Sequence, residues 1–133
     1  MKHIKRFYAF DFDGVIGLPP GKFKGDGHEN NPNHEVVGAI RQLKEVGHTI
    51  IVYSTRSTDF LKKYCEKNDI PVDHFNVNPK FDNLNRGKPV ATVYIDDRAL
   101  CYRGQSTQEL IDELTKFEPY HHDHSKDGDT QSC

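Results

Sequence analysis

The chain has 133 residues, of which 35% are hydrophobic and 29% charged, enough for one domain with its own core and too few for two of ordinary size. Its formal charge of −2 offers no global attraction to nucleic acid or an acidic membrane. No apolar run approaches the roughly 20 residues that span a bilayer, so no membrane partner is expected.

The N-terminus carries Lys2, Lys5 and Arg6, but the apolar run behind them stops at Asp11. It is too short for the core of a secretory leader, and a strand is expected instead. Residues 6–12 (RFYAFDF) are almost continuously apolar up to that acid. Such a run predicts a strand buried on both faces of a parallel sheet. A loop rich in Gly, Pro, Asn and Asp follows, from Gly14 to about Asn33. Loops of that length beside a strand end are often functional.

Asn33 or Asn31 is the expected cap of a first helix. Val36, Ile40, Leu43 and Val46 fall on one face of it, and Gly47 suits its left-handed end. Thr49 to Tyr53 (TIIVY) predicts a second buried strand, ending at Ser54. A second helix is expected to start near Ser57 or Thr58, bury Phe60, Leu61 and Tyr64, and stop before Pro71. Asp73 to Val77 predicts a short third strand, and residues 81–86 a weak helical turn. Val90 to Ile95 (VATVYI) predicts a fourth strand, running into Asp96 and Asp97. Ser106 to Glu109 has the pattern of a capping box, and Leu110, Ile111, Leu114 and Phe117 form one apolar face behind it. Beyond Pro119 the chain is polar, so 1–118 is expected to be the domain and 119–133 a disordered tail.

Cys65, Cys101 and Cys133 are odd in number and widely spaced. This predicts a reducing, cytoplasmic setting, with Cys65 and Cys101 as small core residues.

Strands alternating with helices imply an α/β domain with a mostly parallel sheet. Ligands of such sheets bind outside the carboxyl ends of the strands. Three of the four predicted strands end in reactive residues there: Asp11 and Asp13, then Ser54, then Asp96 and Asp97. On an extended chain Asp11 and Asp13 point to the same side. Carboxylates held close raise one another's pKa unless a cation intervenes, and hard oxygen donors suit magnesium. Gly14 permits a sharp turn behind the pair. Ser54, Thr55, Arg56 and Ser57 offer hydroxyls and helix-start N–H groups that suit a phosphate oxygen. Arg98 either binds substrate or pairs with the acids before it.

Taken together, Asp11-Phe12-Asp13-Gly14-Val15, Ser54 and Asp96-Asp97, each behind a hydrophobic strand, resemble the haloacid dehalogenase (HAD) superfamily of phosphohydrolases. The motifs occur in that family's order over residues 6–98. The stretch from Gly87-Lys88-Pro89 to Leu100 resembles its small bacterial and phage phosphatases. The resemblance implies a three-layer Rossmann-like fold and a Mg2+-dependent phosphatase. Asp11 would be the nucleophile, and Asp13 would protonate the leaving group and later activate water. Magnesium would be held by Asp11, the Asp13 backbone carbonyl and Asp96, with Asp97 bound directly or through a neighbour. Ser54 would hydrogen-bond the transferring phosphoryl group, with Gly14, Thr55, Arg56 and Arg98 around the substrate.

The resemblance also implies a lysine balancing the acids. Lys88 matches by context, eight residues before Asp96. Yet a straight strand from Val90 would place Lys88 at the opposite rim, so Lys80, which follows the third strand, is favoured on chain tracing. The gaps between motifs leave no room for a cap domain, so an open site is expected, flanked only by the loop carrying Lys22, Lys24 and His28. The expected substrate is a small phosphorylated metabolite, a sugar phosphate or nucleotide. A polynucleotide 3′ end is the less favoured alternative, and a non-catalytic binding or regulatory domain the alternative of another class. A homo-oligomer is compatible with the sequence. His121, His122, Asp123 and His124 resemble a metal site, but in a polar tail they read as solvated.

Overall fold

A computed structural model of the chain describes residues 4–18, 30–84 and 87–120. The chain divides into two compact units, residues 1–96 and 97–133. In chain order the elements are β1 (Phe7–Asp11), β2 (Gly17–Leu18), β3 (Asn31–Pro32), α1 (His34–Glu45), β4 (Thr49–Tyr53), α2 (Thr58–Lys67), β5 (His74–Phe75), a 3-10 segment (Pro79–Leu84), β6 (Val93–Ile95) and α3 (Thr107–Lys116).

The first unit is built on a four-stranded sheet of order β5-β4-β1-β6, and every pairing in it is parallel. β1 lies at its centre, where an uninterrupted apolar run belongs. The steps from β1 to β4 and from β4 to β5 go the same way along the sheet. Right-handed connections therefore put α1 and α2 on one face. Phe10, Ile50 and Val52 meet Val37, Ile40, Leu61, Tyr64 and Cys65 in the core of that face. Ala9 and Ile51 alternate to the other face and are also fully buried. On that face Phe7 meets the edge of Phe81, 5.9 Å between ring centres, from the 3-10 segment. The result is the Rossmann-like α/β layering expected from the sequence.

Register sets the rim. Asp11 pairs with Tyr53 and Phe10 with Ile95, so Asp96 emerges one residue beyond, beside Asp11. The helices follow their local signals. Asn33 is the N-cap of α1, although its side chain makes no cap bond, and Gly47 closes the helix at φ +92°. Ser57 caps α2 by accepting from the Phe60 N–H.

Three strands are shorter than predicted: β1 by one residue at each end, and β5 and β6 by more. Asp73 stays outside β5 because its carboxylate takes the Lys44 ammonium at 2.6 Å and the Ile50 N–H at 2.8 Å. Asn76 then ends the strand at φ 61°. In β6 only Val93–Ile95 is extended. The chain before it doubles back: Thr92 donates to the Phe7 carbonyl at the amino end of β1. The Tyr94 hydroxyl donates to the Pro89 carbonyl at 2.6 Å. The turn expected at 81–86 starts earlier, at Pro79.

In the second unit Ser106 and Glu109 form the complete capping box of α3. Hydrogen bonds to Ser106 hold the Glu109 carboxyl below its usual range. Arg103 pairs with Glu113 at 2.6 Å. The predicted apolar face is not a core face: no α3 residue is buried, and Ile111 and Leu114 are about half exposed. Cys65 is the small core residue expected. Cys101 is not a core residue: it is half-buried. No helix among the described residues is long and apolar enough to cross a membrane. Lys22, Lys24 and His28, the histidine run 121–124 and all but the first two residues of the predicted tail lie outside the described residues.

Candidate functional site

The carboxyl ends of β1, β4 and β6 carry the site. One carboxylate oxygen of Asp11 and one of Asp96 lie within 4.8 Å of each other. They come from the ends of neighbouring parallel strands, so sheet register holds them together. Asp97 follows Asp96 by one peptide bond and begins the second unit. Both acids of the first unit are half-buried. Asp11 Oδ1 also accepts from the Phe12 N–H at 2.8 Å, which orients its carboxylate.

Asp13 does not join this pair. The backbone leaves the extended conformation after Asp11: the Phe12 carbonyl accepts the N–H groups of Val15, Ile16 and Gly17, and Gly14 sits at φ 84°. The same-side geometry expected for Asp11 and Asp13 holds only for an extended chain. Phe12 drops into the core against Phe60 and Tyr64, with ring centres 5.5 and 4.8 Å away. Asp13 turns instead to Arg56. The Arg56 Nε donates to both Asp13 oxygens at 3.0 and 2.9 Å, and Nη2 donates to Oδ1 at 2.9 Å. The guanidinium lies over the Phe60 ring at 5.0 Å. Arg56 is thus occupied by an acid of the site, whereas the sequence suggested a substrate ligand.

Ser54 Oγ accepts the Arg56 N–H at 3.1 Å, closing a turn ahead of α2. The Ser54 N–H is held by Asn76 Oδ1 at 2.9 Å. Thr55 and Arg98 are exposed.

The two lysines reverse the expectation. Lys88 Nζ lies 4.0 Å from Asp96 Oδ2 and over the rings of Tyr94 at 4.2 Å and Tyr53 at 5.4 Å. Lys80 Nζ lies over Phe7, at the amino end of β1. The preference for Lys80 fails because residues 88–92 are not part of a straight strand. They run down the sheet and β6 runs back up, returning Asp96 to the level of Lys88.

Two residues of the site have no counterpart in the motifs. Tyr53 donates its hydroxyl to Asp96 Oδ2 at 2.8 Å. Burial first, then this hydrogen bond and the charges of Asp96 and Asp11, push its pKa far above 10. Asn76 bridges Ser54 and Thr58, donating to the Thr58 hydroxyl at 3.2 Å. The only hint of either in the sequence is a polar group at a predicted strand end.

The donor set fits a hard divalent cation. Two carboxylates this close repel each other, and their oxygens are hard donors of the kind such a cation takes.

No family model matches the chain, and no curated protein matches it. A solved structure does: a conserved protein from Bacteroides thetaiotaomicron, 22% identical, with a TM-score of 0.56 over 85% of this chain and 91% of that one. At that identity the likeness shows the α/β fold alone.

Proposed function

We propose that the chain is a magnesium-dependent phosphatase acting on phosphate monoesters, with a small phosphorylated metabolite as substrate. The carrying observation is the pairing of Asp11 and Asp96 within 4.8 Å at the carboxyl ends of adjacent parallel strands. The resemblance of the Asp11-Phe12-Asp13-Gly14 and Asp96-Asp97 motifs to HAD phosphohydrolases supports it.

Asp11, Asp96 and the Asp13 backbone carbonyl would hold the cation. Bound there, magnesium supplies positive charge that offsets the repulsion between an anionic nucleophile and an anionic phosphoryl group. An Asp11 oxygen attacks phosphorus, the ester P–O bond breaks, and the leaving oxygen takes its proton from Asp13. Water then attacks the phosphorus of the Asp11 acyl phosphate and gives a proton to Asp13. The Asp11–phosphorus bond breaks, releasing inorganic phosphate and restoring both carboxyl groups. The Ser54 hydroxyl donates to the transferring phosphoryl group. Lys88 offsets the charge of Asp96, and Tyr53 fixes the direction of that carboxylate.

The test is phosphate release by purified protein from p-nitrophenyl phosphate, sugar phosphates, nucleotides and a 3′-phosphorylated oligonucleotide. Magnesium-dependent release from small esters, lost in Asp11→Asn by at least about a thousandfold, is expected. Release from the oligonucleotide alone would transfer the reading to a nucleic-acid-end phosphatase. Release from no ester, with no beryllium fluoride adduct at Asp11, would remove it.

A further inference from the structure

Three hydrogen bonds join the Arg56 guanidinium to both oxygens of Asp13. If Asp13 is the proton donor proposed above, this arrangement is closed. Both oxygens face a cation, and neither is presented to a leaving group. The pair must open before Asp13 can carry a proton to an ester oxygen.

We infer that Arg56 is a phosphate-binding residue held in reserve by Asp13. An arriving phosphoryl group draws the guanidinium away and frees the Asp13 carboxylate, which then takes a proton from solvent and holds it for the leaving oxygen. The inference rests on the phosphatase reading for the role of Asp13, and on the geometry for the handover.

Competition favours the handover. A carboxylate presents two oxygens and one charge, whereas a phosphate monoester dianion presents three terminal oxygens and two charges to the same planar fork. The pair is open to solvent and ligand, with Asp13 41% and Arg56 20% exposed at the side chain. The movement is confined to the side chain, because the Arg56 N–H is tied to Ser54 Oγ and α2 is capped immediately after it by Ser57. The guanidinium lies 5.0 and 5.8 Å from the ring centres of Phe60 and Phe12, and Phe12 is fully buried. Phe12 follows the proposed nucleophile Asp11 directly in the chain. Arg56 is therefore placed to exchange one anion for another across the rim.

The experiment is a double-mutant cycle read by calorimetric binding of inorganic phosphate, with magnesium held constant. Asp13→Asn is expected to bind phosphate about tenfold more tightly than the wild type, and Arg56→Ala about tenfold less tightly. In the Arg56→Ala background, Asp13→Asn is expected to add nothing, because the gain runs through the released guanidinium. Arg56→Lys keeps a stem over Phe60 but lacks the fork, and is expected to fall between wild type and Arg56→Ala. An equal gain from Asp13→Asn in both backgrounds would mean simple loss of repulsion and overturn the inference. Absence of any gain from Asp13→Asn would also overturn it. Hydrolysis of p-nitrophenyl phosphate separates the two levels. Activity with an additive cycle removes the handover alone, and a coupled cycle without hydrolysis removes the phosphatase reading alone.

Discussion

Lys88 and Tyr53 both act on Asp96, and neither role follows from counting along the chain. Lys88 reaches Asp96 Oδ2 at 4.0 Å, while Lys80 stands over Phe7 at the far end of β1. In the proposed reaction Lys88→Ala is expected to lower kcat/KM by about a hundredfold or more, and Lys80→Ala to change it by less than about twofold. Steady-state kinetics on a small monoester decide between them, and the reverse ranking would contradict the placement. The Tyr53 hydroxyl holds one oxygen of Asp96 and so orients the other. Partners of this kind typically change metal affinity by about 10- to 100-fold. Tyr53→Phe is expected to weaken magnesium binding by about tenfold, measured by calorimetry, with the ring packing retained.

At the scale of elements, the turn after β1 and helix α2 support the rim. Gly17 lies against Phe12 so closely that an added Cβ would sit 2.7 Å from the ring. Gly17→Ala is expected to cost about 1–3 kcal/mol by overpacking, read from urea unfolding. Removing the α2 cap with Ser57→Ala is expected to cost about 1 kcal/mol. Helix α2 also carries groups that make the fold sensitive to alkali. Burial pushes the Cys65 thiol up to about 11 and the Tyr64 hydroxyl up to about 12, and Tyr53 on β4 is pushed higher still. Unfolding returns them to 9.0 for the thiol and 10.0 for the tyrosines. Above about pH 9 the unfolded chain therefore binds fewer protons than the native one, and stability falls as pH rises. Below that value all three groups are neutral in both states, and their contribution is fully present. Thermal melts from about pH 7 to about pH 11 are expected to be flat and then decline. Cys65→Ala is expected to delay the onset to about pH 10.

For the whole molecule, a cation bound only to the native state raises stability by mass action, about 2.7 kcal/mol at a hundred times Kd. Magnesium is expected to raise Tm in a concentration-dependent way, EDTA to reverse the rise, and Asp96→Asn to abolish it. The sequence by itself determined the α/β class, the parallel sheet, the caps of α2 and α3, and the identity of the rim acids. These depend on local signals: apolar runs that stop at an acid, and Ser or Gly at helix ends. The shortened β5 and β6 lay beyond it, because a side chain such as Asp73 takes backbone bonds from a distant strand. Which acids meet was also a tertiary matter. Asp11 and Asp96 are 85 positions apart in sequence numbering and are joined by β1–β6 register. Asp11 and Asp13, near neighbours in the chain, are separated by the curl of backbone onto the Phe12 carbonyl. The pairing of Arg56 with Asp13 and the return of Lys88 to Asp96 likewise depend on where the chain reverses. Hydrogen bonds between remote segments determine that, and no periodicity in the sequence encodes it.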